Sequence, residues 1–149
     1  MESVRAHRIN IPAELTAALA IRHTVFVLGQ NVPAELELDA HDHTDATHYL
    51  AQTTDGTPCG AARWRVTPNG VKLERFAVLT EFRNQQAGAA LLREVLRDVE
   101  MAHPTAAVYL HAQLPAVRFY ARHGFRQEGE VFEEGGLQHY KMMWQRPAQ

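Results

Sequence analysis

Between Val71 and Val99 the apolar residues change their period. "VKLERFAVL" alternates as a strand does. After Phe82, Leu92, Val95, Leu96 and Val99 fall on one helical face, and Pro104 ends the run. The strand "AAVYLHA" follows, so the middle of the chain is a β–α–β unit, and such a unit requires a sheet with a helix laid across it.

The flanks extend the pattern. "VRAHRI" reads as a first strand, and Pro12 opens a helix with Leu15, Leu19, Arg22, Val25 and Phe26 at helical spacing. Residues 29 to 45 are acidic and irregular. "ATHYLAQT" and "CGAARWRV" are strands joined by the turn "TDGTP", and "PNG" turns into the third strand of that meander. In "LPAVRFYARHG", Pro115 lies in a first helical turn and Gly124 at the left-handed C-terminal position. "FRQEGEVFEEGGLQHYKMMW" forms two strands turning at Glu133–Gly136. The order β, α, three β, α, β, α, β, β predicts an α/β (α+β) chain with a mixed, largely antiparallel sheet of six to seven strands flanked by helices.

The 149 residues predict one domain over 1–149, and 46% hydrophobic residues suit a core without staples. A net charge of -2 makes no case for nucleic acid or an anionic membrane. "MESVRAHRIN" lacks the apolar core of a signal peptide, no run of about 18 apolar residues occurs, and the single Cys59 cannot close an internal disulfide. The expectation is a cytoplasmic protein.

The loop before the second helix, "EFRNQQAGAALLREVL", has no good capping residue at Gln85 or Gln86; Asn84 is the nearest candidate. An open helix start after a strand suits an anion such as pyrophosphate, with Arg83 adding charge and Gly88 allowing close approach beside Ala87, Ala89 and Ala90. The alternative is a start capped by Asn84 or water. Neither "GxxxxGK[ST]" nor "GxGxxG" is present.

"VLTEFRNQQAGAALL" resembles the acetyl-CoA pyrophosphate loop of the GNAT superfamily of N-acetyltransferases, Arg/Gln-x-x-Gly-x-Gly/Ala. Arg83 matches the first position and Gly88 the last, while Gln86 stands where the first glycine is usual. "FYARHGF" (119–125) resembles a later helix of the superfamily, and "IRHTVFVLGQNVP", "DATHYLA" and "LERFAV" resemble its ElaA/YjcF-like branch. The resemblance implies acetyl transfer from acetyl-CoA to an amine of a small molecule or peptide. It implies pantetheine along Phe76, Ala77 and Val78, and pyrophosphate on Arg83, Asn84, Gln86, Ala87, Gly88, Ala89 and Ala90. Phe119 would lie against the cofactor, and Tyr120 would protonate the departing thiolate.

Glu74, four residues before Val78, is expected on the same strand face and could take the amine proton, directly or through water. Its alternative is an ion pair with Arg63 or Arg65. His111, where the sheet opens, could be the base, an acceptor contact or a bond to CoA. Arg22 and His48, with His23, are candidates for the acceptor side; Arg22 could instead pair with Glu37 or Asp39. His41, Asp42, His43, Asp45 and His48 suit zinc by type but not by spacing, so no metal is expected. Cys59 has no base nearby in sequence, and Trp64 reads as core. Two other readings stand: an acyl-CoA-binding module with little turnover, and a metal hydrolase. A homodimer is left open.

Overall fold

The computed structural model describes residues 3–84 and 86–147; Gln85 lies outside them. Seven strands make one sheet: β1 (Val4–Arg8), β2 (Thr47–Thr53), β3 (Pro58–Thr67), β4 (Gly70–Val78), β5 (Val108–Gln113), β6 (Phe125–Glu134) and β7 (Leu137–Trp144). The helices are α1 (Pro12–Arg22), the short α2 (Ala34–Glu37), α3 (Ala87–Ala102) and α4 (Val117–Arg122). A π-helical turn, His23–Leu28, continues α1. The strand order is β1-β2-β3-β4-β5-β7-β6. Neighbours are antiparallel except β4 and β5, which α3 joins as a parallel pair. No described helix is long and apolar enough to cross a membrane.

The two faces of the sheet bury separate cores. On one, Leu91, Leu92, Val95 and Val99 of α3 pack on Tyr49, Trp64, Val71, Leu73, Val108 and Leu110, with Tyr120 and Phe125 at the far end. On the other, Ala18, Ile21, Val25 and Phe26 cover Leu50, Ala61 and Ala77. Trp64 is core: its Nε1 donates to the Tyr49 hydroxyl (3.0 Å), which donates to Asp98 (2.7 Å). Cys59 is fully buried.

Two irregularities shape the site. The parallel pairing of β4 with β5 covers only Val71–Leu73 against Val108–Leu110, after which the strands part. In β4, Glu74 faces Arg63 but Ala77 faces Ala61, so one extra residue is accommodated, and Arg75 takes a left-handed φ of 59°. This is a β-bulge. It reverses the parity assumed for Glu74: the residue that shares its face is Ala77, while Val78 packs toward α3.

Candidate active site

The parting strands open a cleft of about 1500 Å³ that runs from the start of α3, past Phe76–Val78 and Tyr120, to His111, Glu134 and His139. Its two ends differ in kind.

At the α3 end, polar groups lack partners. Gln86 occupies the N-cap position with φ 72°, and no described side chain caps the helix. Asn84, with φ 67°, is not a cap. The Ala90 N–H bonds the Gln86 carbonyl (2.9 Å), so it cannot serve a ligand, and Ala90 does not line the cleft; its expected cofactor role is corrected here. The N–H groups of Ala87, Gly88 and Ala89 precede the helical ladder. The Phe119 ring sits beside the helix start, where a Cβ built on Gly88 would meet it at 3.4 Å, in ordinary van der Waals contact. Arg83, Arg93 and Arg122 line this end with no ion pair to a described carboxylate. Burial holds the His123 imidazole below its ordinary pKa, and the charges of Arg93 and Arg122 add to this.

In the middle, Tyr120 is 7% exposed and meets Phe76, Phe119 and Phe125 edge-on. Its hydroxyl has no hydrogen-bond partner among the described residues. Burial pushes its pKa well up, so the phenol keeps its proton at neutral pH.

Behind the other end, on the α1 face of the sheet, charges neutralise one another. Asp42, with a fully buried side chain, receives Arg22 (Nη1 at 2.5 Å) and Arg63 (Nη1 at 2.6 Å). Arg22 also holds Glu37 (2.8 Å), and Arg63 holds Asp39 (2.8 Å). Arg75 reaches Glu37 and Asp39, both at 3.2 Å. Glu74 takes Arg63 (3.0 Å), Arg65 (2.8 Å) and Lys72 (3.2 Å). Burial disfavours the ionised forms of Asp42 and Glu74, but the arginines outweigh it and both carboxyls stay below their ordinary range.

This arrangement relocates several expected site residues. Arg22 is 1% exposed inside the network and does not line the cleft. His48 is buried, donates Nε2–H to the Asp42 carbonyl (3.0 Å) and is also off the cleft; burial lowers its pKa. Neither lines the cleft, and the exposed His23 does not line it either. Glu74 does line it, but as the ion-pair partner of Arg63 and Arg65. Among the described residues no group of three or more His, Cys, Asp or Glu could hold a metal.

His111 lines the cleft where β5 leaves β4. Its Nδ1 lies 3.2 Å from Glu134, and that contact carries the Glu134 carboxyl down to about 2.

A family model described as an acetyltransferase (GNAT) domain matches residues 16–146. The chain belongs to this family. The uncharacterized N-acetyltransferase YjcF of Bacillus subtilis is 36% identical over 132 residues, 87% of this chain and 91% of that protein. ElaA of Escherichia coli is 32% identical over 136 residues, 87% of this chain and 86% of ElaA. The ElaA crystal structure superposes with a TM-score of 0.83, over 97% of this chain and all of ElaA. These place the chain in the ElaA/YjcF-like branch. PaiA of Thermoplasma acidophilum, solved with coenzyme A, shares the fold at 15% identity (TM-score 0.70, 97% of this chain, 99% of that one).

The GNAT loop explains its own usual glycine. Gln86 stands at that position and is left-handed, a conformation that glycine adopts without steric cost. Sequence reasoning missed Arg93 and Arg122 in this cleft, and at its other end Glu134 and His139. Arg93 follows the loop by one helical turn and more, so helical spacing from Ala89 could have found it. No local signal marks Glu134 or His139.

Proposed function

We propose that the protein transfers the acetyl group of acetyl-CoA directly to an amine. The observation that carries this reading is the buried Tyr120 hydroxyl, which has no hydrogen-bond partner among the described residues, on a residue that lines the cleft where β4 and β5 part. A buried donor without a partner is costly unless a ligand completes it. The thiolate leaving acetyl-CoA is such an acceptor, and a phenol that burial keeps protonated can donate to it.

The rest of the cleft fits the same co-substrate. Beyond Leu73, β4 has no strand on its β5 side, so its backbone at Phe76–Val78 is free for the amides of pantetheine. The N–H groups of Ala87, Gly88 and Ala89 suit a pyrophosphate, with Arg83 beside them. Arg93 and Arg122 supply further positive charge for the phosphates. Cys59 is buried and donates to the Ala51 carbonyl (3.5 Å), so direct attack by the amine is the route, with no acetyl-enzyme.

The test is incubation with acetyl-CoA and a broad panel of amines while free thiol is followed. Amine-dependent thiol release, matched by acetylated amine in mass spectrometry, is expected. Binding of acetyl-CoA without release for any amine would overturn the enzymatic reading in favour of an acyl-CoA-binding module.

A further inference from the structure

A neutral amine must attack, so a proton has to leave the acceptor. Glu74 is engaged by Arg63, Arg65 and Lys72. Of the cleft-lining groups with a lone pair to offer, which include His41 and His139, His111 is the one that stands where β5 parts from β4. Its ring is held from two sides. Glu134 of β6 lies against Nδ1 at 3.2 Å (Oε2) and 3.4 Å (Oε1). Phe132, two residues earlier on the same strand, meets the ring edge-on at 4.9 Å and 79°. On its other side Phe132 stacks on His139 (5.8 Å, 23°), whose Nδ1–H donates to the Leu137 carbonyl at 2.9 Å. The β6–β7 hairpin therefore presents an aromatic wall and a carboxylate to a histidine of a different strand pair. An acceptor at Nδ1 keeps the proton on that nitrogen and leaves Nε2 as the lone-pair atom.

We infer that His111 takes the acceptor's proton through Nε2, and that Glu134 is the positioning residue that sets its tautomer. This rests on the transferase reading above. As the amine N–C bond forms and the C–S bond breaks, one N–H proton goes to His111 Nε2. The thiolate receives the proton of Tyr120, and exchange with solvent returns both side chains to their starting states. Glu134 accepts the Nδ1–H and stabilises the imidazolium that forms, without itself being protonated.

The test uses Glu134→Ala, His111→Ala and the double variant, with the best amine from the panel. The Glu134 side chain is 49% exposed, so its removal leaves the fold intact. Glu134→Ala is expected to lower kcat about tenfold and leave the acetyl-CoA KM unchanged, within the usual reach of acid–base catalysis. In the His111→Ala background the same change should have no further effect, since a positioning residue acts only through its partner. Nitrogen-15 NMR of histidine-labelled protein reads the tautomer directly. In the neutral form of the wild-type ring the proton should sit on Nδ1, and Glu134→Ala should lose that preference. An unchanged kcat in Glu134→Ala, an equal loss in both backgrounds, or a tautomer indifferent to Glu134 overturns the proposal. The NMR arm needs no turnover, so failure of the pair and failure of the transferase reading give different results.

Discussion

The two ends of the cleft handle charge in opposite ways. At the start of α3, among the described residues, Arg83, Arg93 and Arg122 have no carboxylate and the first helical N–H groups have no side-chain cap. Behind the other end, on the α1 face of the sheet, Arg22, Arg63, Arg65, Arg75 and Lys72 are all paired with Glu37, Asp39, Asp42 or Glu74. Both ends are rich in arginine, so composition does not separate them. What separates them is whether the protein completes its own polar groups. Groups left incomplete point to a ligand; groups completed internally hold the architecture that faces it.

The comparison breaks first at Arg63. Its side chain is 1% exposed and joins three carboxylates from two segments. Arg63→Met leaves Asp42 and Glu74 buried with fewer counter-charges. Breaking a buried pair from one side costs about 3–5 kcal/mol, which in a chain of this size lowers Tm by roughly 10 °C. Calorimetric affinity for CoA should change little, because the open end is untouched. The same network sets an acid limit. The pKa values of Asp39, Asp42 and Glu74 are all depressed in the fold. Their contribution is therefore fully present above the ordinary carboxylate pKa, near 4, and is lost as pH falls through the depressed values. Thermal melts from pH 6 down to pH 3 should show this fall, and it should be shallower in Arg63→Met.

Next is Tyr120→Phe, which removes a buried hydroxyl that has no partner among the described residues and keeps the ring packed on Phe76 and Phe125. Turnover should fall about 10²-fold, or about 2.7 kcal/mol of barrier, with acetyl-CoA binding nearly unchanged. Stability should hold or rise, since a buried polar atom without a partner is lost. A normal rate with an amine whose chemical step limits turnover would make Tyr120 a packing residue.

Smaller again is Glu74→Gln. The bulge at Arg75 puts Glu74 on the α1 face among three cations, so the expected loss is in stability, about 1–2 kcal/mol for a buried charge-assisted contact made neutral. With the amine proton assigned to His111, kcat should stay within about threefold, since a true proton acceptor would contribute 10²-fold or more. A large fall in kcat at unchanged Tm would return Glu74 to the chemistry.

The fold and the open end were legible because their signals are local. The period change from β4 to α3 lies in one stretch, and Arg83 to Gly88 carries the loop in six residues. Of the closed end, single pairs were legible, Arg22 with Glu37 and Glu74 with Arg63 or Arg65; the network around Asp42 was not, because it is assembled from α1, residues 37–42, β3 and β4. The stretch "ELELDAHDHTD" reads only as acidic and irregular until Arg22 and Arg63 are seen to enclose Asp42. Parity failed at Glu74 because no glycine marks the bulge; an arginine takes its left-handed position. Glu134 was hidden by topology. β7, not β6, pairs with β5, and only that order brings the end of the hairpin to His111.

The smallest effect sharpens the open end itself. Gln86 is left-handed at φ 72° in the position where the family's loop favours glycine. A left-handed L-residue costs roughly 1–2 kcal/mol, and the greater freedom of glycine in the unfolded chain gives back part of any relief. Gln86→Gly should therefore raise stability by less than about 1 kcal/mol, seen as a Tm increase of roughly 1–3 °C. CoA affinity should stay within about twofold, because the donors in question are the backbone N–H groups of Ala87, Gly88 and Ala89 rather than the glutamine side chain. Gln86→Val is the opposing control. A β-branched residue at positive φ is strained whatever the surrounding space, so the loop should shift, with loss of both Tm and CoA affinity. If glycine and valine behave alike, the left-handed geometry does not govern this loop. If glycine alone weakens CoA binding, the Gln86 side chain is itself a ligand contact, and this branch has replaced a backbone requirement with a side-chain one.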